Sequence, residues 1–414
     1  MDYYSIITIL IVLSALFAYI NVRVLKLPIT IGLMVITIVF TIIIIAISQF
    51  DDTLLLQERE LIGSINFKEV LFDIMLSFLL FAGALHTNFE QLKIQRWPVL
   101  VFATAGVLVS TFLVGTIMFF VLQLIDLNVD FIYCLLFGAL ISPTDPIAVL
   151  GILKQANAPK KLETKIVGES LFNDGVGVVI FLTILEIAKG GTEVTFGHVA
   201  EMFAVEVLGG IALGLLLGWI TFRLMKSIDD YDVEVIITIA AVMGGTLLAQ
   251  NFHLSAPLAM VSCGLIVGND TVRNQAMSKI TETYVDKFWE LIDVLLNTIL
   301  FVLIGMEMLI LTFEKNFILA GLLAVPIVLI CRYLSLWHPI KFFAKKLEFI
   351  PNTNLIMTWG GLRGGISIAL ALSLTTDMHR ELFLVITYII VVFSIIGQGL
   401  TVGPLIKRLA KNED

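Results

Sequence analysis

The chain has 414 residues, of which 58% are hydrophobic and only 14% are charged. Soluble domains carry about 25% charged residues, so this composition excludes an ordinary soluble domain and predicts a polytopic protein of the lipid bilayer. The net charge of −8 does not indicate a nucleic-acid partner, because in membrane proteins the placement of Lys and Arg matters more than their sum. We expect no nucleic acid and no cofactor.

Thirteen apolar runs follow one another along the chain, each long enough to cross a bilayer as a helix. They lie near residues 4–22, 28–48, 67–85, 98–124, 131–153, 165–188, 199–225, 233–249, 254–268, 288–311, 317–343, 355–374 and 382–406. We therefore expect an all-α polytopic membrane protein with about 13 transmembrane helices. A single membrane domain would cover residues 1–410, and residues 411–414 would form a short cytoplasmic tail.

The basic residues follow the positive-inside rule when the first loop is taken as cytoplasmic. Of the 26 basic residues, 19 then fall on the cytoplasmic side. The five on the outer side are Arg59, Lys68, Lys189, Lys315 and Arg380. The remaining two, Arg332 and Arg363, lie within spans. We therefore predict an N-terminus outside the cell and a cytoplasmic C-terminus.

The fifth run contains the segment Ser142-Pro143-Thr144-Asp145-Pro146. Neither Pro143 nor Pro146 has an N–H group for the preceding turn, so the pair predicts a helix break near mid-membrane. Lipid cannot satisfy the carbonyl groups that such a break frees, so they must face protein, water or an ion. A kink satisfied by Ser and Thr side chains is the alternative.

The sixth run carries a polar stripe in the middle of an apolar helix. Glu169 and Asn173 are four residues apart and share a helix face, as do Ser170 and Asp174. A charge at that depth costs about 2.5–3.5 kcal/mol on insertion scales, so such residues are rare and usually line an ion path. A structural ion pair between two helices is the alternative interpretation.

The twelfth run contains Trp359-Gly360-Gly361-Leu362-Arg363-Gly364-Gly365. Glycines beside one arginine make a poor helix interior, so Gly361 and Gly364 predict a second break. The two interrupted runs are seven apart, which predicts two inverted six-helix repeats joined by the seventh run. Interrupted spans at matching places in inverted repeats point to the midplane site of a transporter.

If the two breaks cross, Asp145 would neutralise helix N-terminal ends and Arg363 would neutralise C-terminal ends. A charged Glu169 in the interior also needs a positive partner. Arg363 is the first choice and Arg332 the second, although spacing alone does not decide between them. Five other acids are interpreted as interface, helix-end or structural residues: Asp73, Glu201, Glu206, Asp293 and Glu307.

These motifs resemble the monovalent cation/proton antiporter family, which holds the bacterial NhaP-type sodium/proton antiporters and the animal NHE-type exchangers. The resemblance rests on the segments 142–146, 168–174 and 361–364, together with Arg332. It covers nearly the whole chain in the number of spans and the order of the motifs.

The resemblance implies an NhaA-like antiporter fold, a secondary transporter rather than an enzyme, and a homodimer in the cell inner membrane. A scaffold, about residues 1–90 and 230–312, would carry the dimer contact. A mobile core, about residues 97–190 and 316–407, would hold the crossed breaks. A linker helix would lie near residues 198–226.

The resemblance also implies the roles of the site residues. Asn173 would pack against the breaks, and Glu169 would form a structural ion pair, foremost with Arg363. The implied ion- and proton-binding residues are Asp174, Ser170 and Thr144, which would hold Na⁺ or Li⁺, with Asp145 beside them.

Proton and cation would then compete for one carboxylate, and exchange follows if only the neutralised site crosses the membrane readily. Because Asn173 leaves a single titrating carboxylate on the stripe, one-for-one electroneutral exchange is expected. The chain departs from the family in one respect. Some members carry a glutamate in the third span, whereas the similar stretch here, Leu80 to His86, has no acid.

Three alternatives remain at this point. A potassium/proton antiporter of the same family would use the same residues, because the pocket radius cannot be read from the sequence. An intramembrane aspartyl protease would need two catalytic acids, for which Asp145 and Asp174 are the candidates. A passive cation channel would need a filter motif, and none is found.

Overall fold

The computed structural model describes residues 3–48, 50, 69–155, 158–190, 196–344, 347, 349 and 351–410. Arg59, Lys68 and the predicted tail at residues 411–414 lie outside this part of the chain, as does the side chain of Asp73.

The described residues form α-helices joined by short turns. In chain order the helices are α1 Tyr3–Ile20, α2 Ile29–Ile47, α3 Leu76–Leu85, α4 Phe89–Ile94, α5 Arg96–Val101, α6 Val107–Leu124, α7 Phe131–Ile141, α8 Pro146–Gln155, α9 Lys160–Ala188, α10 Phe196–Met225, α11 Tyr231–Asn251, α12 Ala256–Val267, α13 Asp270–Ala276, α14 Lys279–Met306, α15 Lys315–Phe343, α16 Thr353–Trp359, α17 Gly365–Leu372, α18 Arg380–Val392 and α19 Gly399–Ala410. Short π-helical turns extend or join several of them, at Asn21–Leu25, Val70–Met75, Phe102–Gly106 and Phe393–Gln398.

Nine helical segments of the described chain are long and apolar enough to cross a membrane. Three shorter apolar helices accompany them, at Val70–Leu85, Phe131–Ile141 and Ala256–Val267. The predicted all-α polytopic architecture is thus confirmed. The count of thirteen spans stays a prediction, because several of the predicted spans are short or broken helices.

Helices α9 and α10 differ sharply in their surroundings. In the most apolar window of α9, 67% of the residues are buried inside the protein, against 17% for α10. Helix α9 therefore runs through the interior, whereas α10 lies at the periphery. The polar stripe of α9 is held away from lipid for this reason.

Glycines allow α10 to approach its neighbour α12 at backbone distance. Gly210, Gly214 and Gly218 recur every four residues and share one helix face. A Cβ atom on Gly210 would lie 2.7 Å from the Ser255 carbonyl oxygen, and one on Gly218 would lie 2.9 Å from Cβ of Ile266. Small residues at four-residue spacing are the usual means of close helix packing in membranes.

We predict that Gly214→Leu lowers the melting temperature of the purified protein in detergent. A side chain on Gly214 would meet the backbone of α12, and overpacked interfaces lose about 1–3 kcal/mol. Gly244→Leu on α11 is the matched control, because a Cβ atom there would meet no atom within 4 Å. Equal melting temperatures for the two variants would contradict this account of the α10–α12 contact.

Candidate functional site

The first helix break lies between α7 and α8. Helix α7 ends at Ile141, Ser142 caps it, and α8 begins at Pro146, so residues 143–145 are not helical. The Ser142 hydroxyl donates to the carbonyl oxygen of Gly138 at 2.7 Å. The two prolines thus break the helix as predicted, because neither can donate to the preceding turn.

The second break, residues 360–364, separates α16 from α17 and meets the first one directly. The backbone N–H of Asp145 donates to the carbonyl oxygen of Leu362 at 2.7 Å. A Cβ atom on Gly361 would lie 3.2 Å from Cγ2 of Thr144, and one on Gly364 would overlap the Asp145 carboxyl group. The predicted crossing of the two breaks is confirmed, and glycine permits the close approach.

Charged side chains lie at the helix ends that meet at the crossing. The Arg363 guanidinium donates to the carbonyl oxygen of Ser142 and, at 2.7 Å, to that of Pro143. These carbonyls belong to the C-terminal end of α7, where a cation is favourable. The Asp145 carboxyl group lies against Gly364, the residue that precedes α17. Asp145 also directly precedes α8, so its carboxyl group lies at the N-termini of two helices, where an anion is favourable.

Arg363 ties the crossing to a third segment through its backbone. Its N–H group donates to the Ser394 hydroxyl at 2.8 Å. Ser394 belongs to the π-helical turn Phe393–Gln398, between α18 and α19. Arg363 is only 2% exposed, so all these contacts are made in the interior of the protein.

Asn173 and Ser170 attach the central helix α9 to the first break through Thr144. The Thr144 backbone N–H donates to Oδ1 of Asn173 at 3.2 Å, and the Asn173 amide donates back to Oγ1 of Thr144 at 2.8 Å. The hydroxyl oxygens of Thr144 and Ser170 are 2.8 Å apart. Asn173 therefore packs against the break, where the resemblance had located it.

The partner of Glu169 is Arg332 of α15, so the expectation that Arg363 would be its first partner is wrong. Nη2 of Arg332 donates to Oε2 of Glu169 at 2.8 Å, and Nη1 lies 2.5 Å from Oε1. The physical reason is that the Arg363 guanidinium donates its hydrogen bonds to backbone carbonyl groups at the first break. Arg332, the second choice, approaches Glu169 with both ends of its guanidinium group.

Asp174 lines a small cavity at the crossing. Its side chain is 2% exposed, and its Oδ1 atom has no hydrogen-bond partner among the described residues. The cavity has room for water-sized molecules in a volume of about 30 Å³, and Thr144 and Asp145 also line it. Ser170 does not line the cavity, although its hydroxyl is within hydrogen-bond distance of the Thr144 hydroxyl.

Two further polar residues line this cavity that were not predicted from the sequence, Asn297 of α14 and Ser367 of α17. Oδ1 of Asn297 and Oγ of Ser367 are buried without a hydrogen-bond partner in the described part of the chain. Asn297 had a usable signal, because it follows Asp293 by four residues inside an apolar run, as Asn173 follows Glu169. Ser367 had none beyond its place just after the second break.

A larger cavity of about 520 Å³ shares Asn297 with the small one. Asp286, Glu290 and Asp293 also line it, and with Asn297 they lie at spacings of four, three and four on one face of α14. Nη2 of Arg273 lies 2.6 Å from Oδ1 of Asp286 and fixes that carboxylate. An acidic helix face therefore leads towards the site.

We predict that Glu169 and Arg332 are strongly coupled in a double-mutant cycle of Glu169→Leu and Arg332→Leu. Each single change leaves a buried charge unpaired, at about 3–5 kcal/mol, whereas the double variant leaves none. The measurement is the free energy of unfolding in detergent. A parallel cycle with Arg363→Leu is the control, and an equally large coupling there would contradict the Glu169–Arg332 pair.

Comparison with known proteins agrees with the motifs. Residues 12–408 match the family model described as the transmembrane sodium/hydrogen exchanger. The Na(+)/H(+) antiporter NhaP of Pseudomonas aeruginosa is 48% identical over 404 residues, which cover 96% of this chain and 95% of that protein. The Na(+)/H(+) antiporter NhaH of Halobacillus dabanensis is 36% identical over 365 residues, covering 85% and 86%.

The fold is also shared with a solved structure. The sodium proton antiporter MjNhaP1 from Methanocaldococcus jannaschii at pH 8 is similar with a TM-score of 0.76 over 99% of this chain and 100% of that one, at 20% identity. This likeness concerns the fold alone, whereas the family model and the two relatives concern descent. The chain therefore belongs to the transmembrane sodium/hydrogen exchanger family.

Proposed function

We propose that the chain is an antiporter that exchanges Na⁺ or Li⁺ for H⁺ at Asp174. The observation that carries this proposal is the buried Asp174 carboxylate in a cavity of about 30 Å³, with one oxygen that has no hydrogen-bond partner in the described part of the chain. One water needs about 10–15 Å³, so the cavity suits an ion with one or two waters. Hard cations prefer oxygen ligands, and the names of the close relatives support the same activity.

The size of the cavity argues against an intramembrane protease. Asp145 and Asp174 do line the same cavity, as two catalytic acids would have to. However, a space of about 30 Å³ cannot hold a peptide segment beside an attacking water. Potassium/proton exchange has no such steric objection and is tested by the choice of cation below.

Asn297 and Ser367 supply two neutral oxygens that the cation would use. The orientation of the Asn297 amide is fixed, because its nitrogen donates to the backbone oxygen of Asp293 at 2.8 Å and to Oδ1 of Asp293 at 3.0 Å. Its own oxygen is therefore left for the cavity. In the third span the walls of the site cavity are Leu76, Leu79 and Leu80, so Asn297 stands in for the acid that some family members place there.

Access to the site would alternate between two sides. The acidic cavity opens among Pro28, His86 and Asp286, which the positive-inside rule assigns to the cytoplasmic side. A second cavity of about 170 Å³, with Glu307 and Arg380, lies at the opposite helix ends and shares no residue with the lining of the site cavity. This difference supports an inward-facing state for the described conformation.

The site cavity lies where the proposed scaffold and core meet. Asp174, Thr144 and Ser367 belong to the proposed core, and Asn297 to the proposed scaffold. Movement of the core against the scaffold would then carry Asp174 away from Asn297 and close the acidic cavity. A homodimer in the inner membrane, as implied by the family, would hold the scaffolds still while the cores move.

One-for-one exchange follows if Asp174 is the single carboxylate that exchanges its ligand. Asn173 cannot titrate, and its amide nitrogen and oxygen are both bonded to Thr144. Glu169 is paired with Arg332, so it does not compete for the cation. Each cycle then moves one cation in one direction and one proton in the other.

We predict that Asp174→Asn abolishes cation-driven proton efflux from acid-loaded proteoliposomes, because the amide can neither bind a proton nor neutralise a cation. The wild type is tested with Na⁺, Li⁺ and K⁺ at zero membrane potential, and again with an imposed potential. Efflux with Na⁺ or Li⁺ that is insensitive to the potential is the expected result. The exposed acid Asp232, in the first turn of α11, supplies the control variant Asp232→Asn.

Two outcomes would overturn parts of this proposal. Full activity of Asp174→Asn would remove Asp174 as the exchanging carboxylate. Efflux with K⁺ alone would establish the potassium/proton alternative.

We predict that Asn297→Ala raises the apparent KM for Na⁺ on the order of tenfold, because a hydrogen-bond-strength contact to a charge is lost. The maximal rate should change much less. Thr298→Ala is the matched control, because this neighbouring hydroxyl is bonded to the Val294 carbonyl oxygen and does not line the cavity. An unchanged KM for Asn297→Ala would exclude Asn297 as a ligand.

A further inference from the structure

An apolar cleft of about 630 Å³ lies between the short helices α4 and α5, the central helix α9 and helix α12. Its walls include Leu92 and Leu100 from the short helices, Phe172 from α9 and Leu265 from α12. Clefts of roughly 300–1,000 Å³ with mainly apolar walls are typical of sites for small amphipathic molecules. The cleft shares no residue with the lining of the ion site.

The rim of the cleft carries a different chemistry from its walls. Lys93 and Arg96 are exposed, and the Arg96 guanidinium lies 5.7 Å from the centre of the Trp97 ring. Trp97 is itself 59% exposed. No acidic residue is among the described residues that line the cleft, so its rim has a net positive charge.

The positive-inside rule assigns the rim to the cytoplasmic surface of the membrane. Helix α4 is capped by Asn88, whose side chain accepts from the Gln91 N–H at 2.8 Å, and α5 follows after a break at Gln95. Tryptophan and basic side chains concentrate at the membrane–water interface, the basic ones on the cytoplasmic side. Basic pockets between transmembrane helices on that side are where anionic head groups bind.

We propose that the cleft binds one anionic phospholipid of the cytoplasmic leaflet. Its phosphate would contact Lys93 and Arg96, its glycerol region would lie against Trp97, and an acyl chain would fill the apolar space beside Phe172. Charge complementarity selects this occupant, because an apolar segment of protein would leave both cations without a partner. The cleft has a basic rim and apolar walls, which match the anionic head group and the acyl chain of a phospholipid.

The position of the cleft would allow a bound lipid to influence transport. Phe172 directly precedes Asn173 and Asp174, whereas Leu265 belongs to the other, proposed scaffold part of the chain. A lipid between them would contact both parts and respond to their relative movement. This second step rests on the proposed function, but binding itself does not.

The test compares lipid retention by native mass spectrometry of the full-length protein, purified in micelles with equal amounts of phosphatidylglycerol and phosphatidylcholine of matched chains. The wild type should retain phosphatidylglycerol in preference. In the rim variant, Lys93→Gln/Arg96→Gln, the affinity for phosphatidylglycerol should fall roughly 25-fold, because each basic side chain near the surface contributes about fivefold. Arg223→Gln/Lys226→Gln removes two exposed basic residues from the end of α10 and should retain the lipid like the wild type.

A second pair of variants tests the apolar part of the cleft without a change of charge. Leu100→Trp should fill the cleft and displace the lipid, whereas Leu108→Trp, an exposed leucine on α6 that does not line the cleft, should not. Equal retention of phosphatidylglycerol by the wild type and the rim variant would overturn the proposal. So would a change in oligomeric mass in Leu100→Trp with lipid retention intact, because the cleft would then be a contact between copies.

Cation-driven proton efflux in liposomes with and without phosphatidylglycerol separates the two proposals. Efflux that depends on phosphatidylglycerol in the wild type but not in the rim variant supports both proposals. Specific retention without any cation-driven efflux would sink the antiport proposal and leave the lipid site standing.

Discussion

A buried backbone must satisfy its own polar groups, and this constraint governs the centre of the molecule. Two broken helices release carbonyl and N–H groups in a region where lipid offers no partner. The structure pairs the breaks with each other, through the Asp145 N–H and the Leu362 carbonyl. The carbonyl groups of Ser142 and Pro143 accept hydrogen bonds from Arg363. The crossing is therefore stable only as a unit, because removal of either break would leave the polar groups of the other exposed to an apolar interior.

Against this background of paired groups, the unpaired oxygens of the cavity stand out. Thr144 is hydrogen-bonded to both Asn173 and Ser170, and Glu169 is paired with Arg332. Asp174, Asn297 and Ser367, in contrast, each leave an oxygen without a hydrogen-bond partner among the described residues. Buried polar atoms without partners are uncommon and call for an explanation. The cation that we propose to bind here would explain them, because it would supply the partner that these three oxygens lack among the described residues.

Much of the site was predictable because local sequence fixes it. Proline and glycine determine where a helix must break, and four-residue spacing determines that Glu169 and Asn173 share a face. The partner of Glu169 was not predictable, because spacing within α9 says nothing about which neighbouring helix turns an arginine towards it. The direct access of Thr144 and the hidden position of Ser170 likewise depend on how two helices are rotated against each other. Asn297 was not predicted, although it follows Asp293 by four residues as Asn173 follows Glu169 in α9. An uncharged amide in an apolar run is a weaker indication of a site than a buried charge.

The wall that faces Asp174 across the site cavity is mostly aliphatic, and this affects how easily the two surfaces could slide past each other. Apart from Asn297, the described residues on that side are leucines, among them Leu76, Leu80 and Leu300, and Leu300 packs directly onto Gly365 after the second break. Interlocked hydrogen bonds would have to break before one surface could slide past another, whereas aliphatic surfaces exchange one set of dispersion contacts for a similar set. The crossed helices are hydrogen-bonded to each other. The surface that they face across the cavity is mostly aliphatic. Asn297 is the polar exception among the described residues of that wall, and its amide bonds Asp293 on its own helix and not the crossed helices.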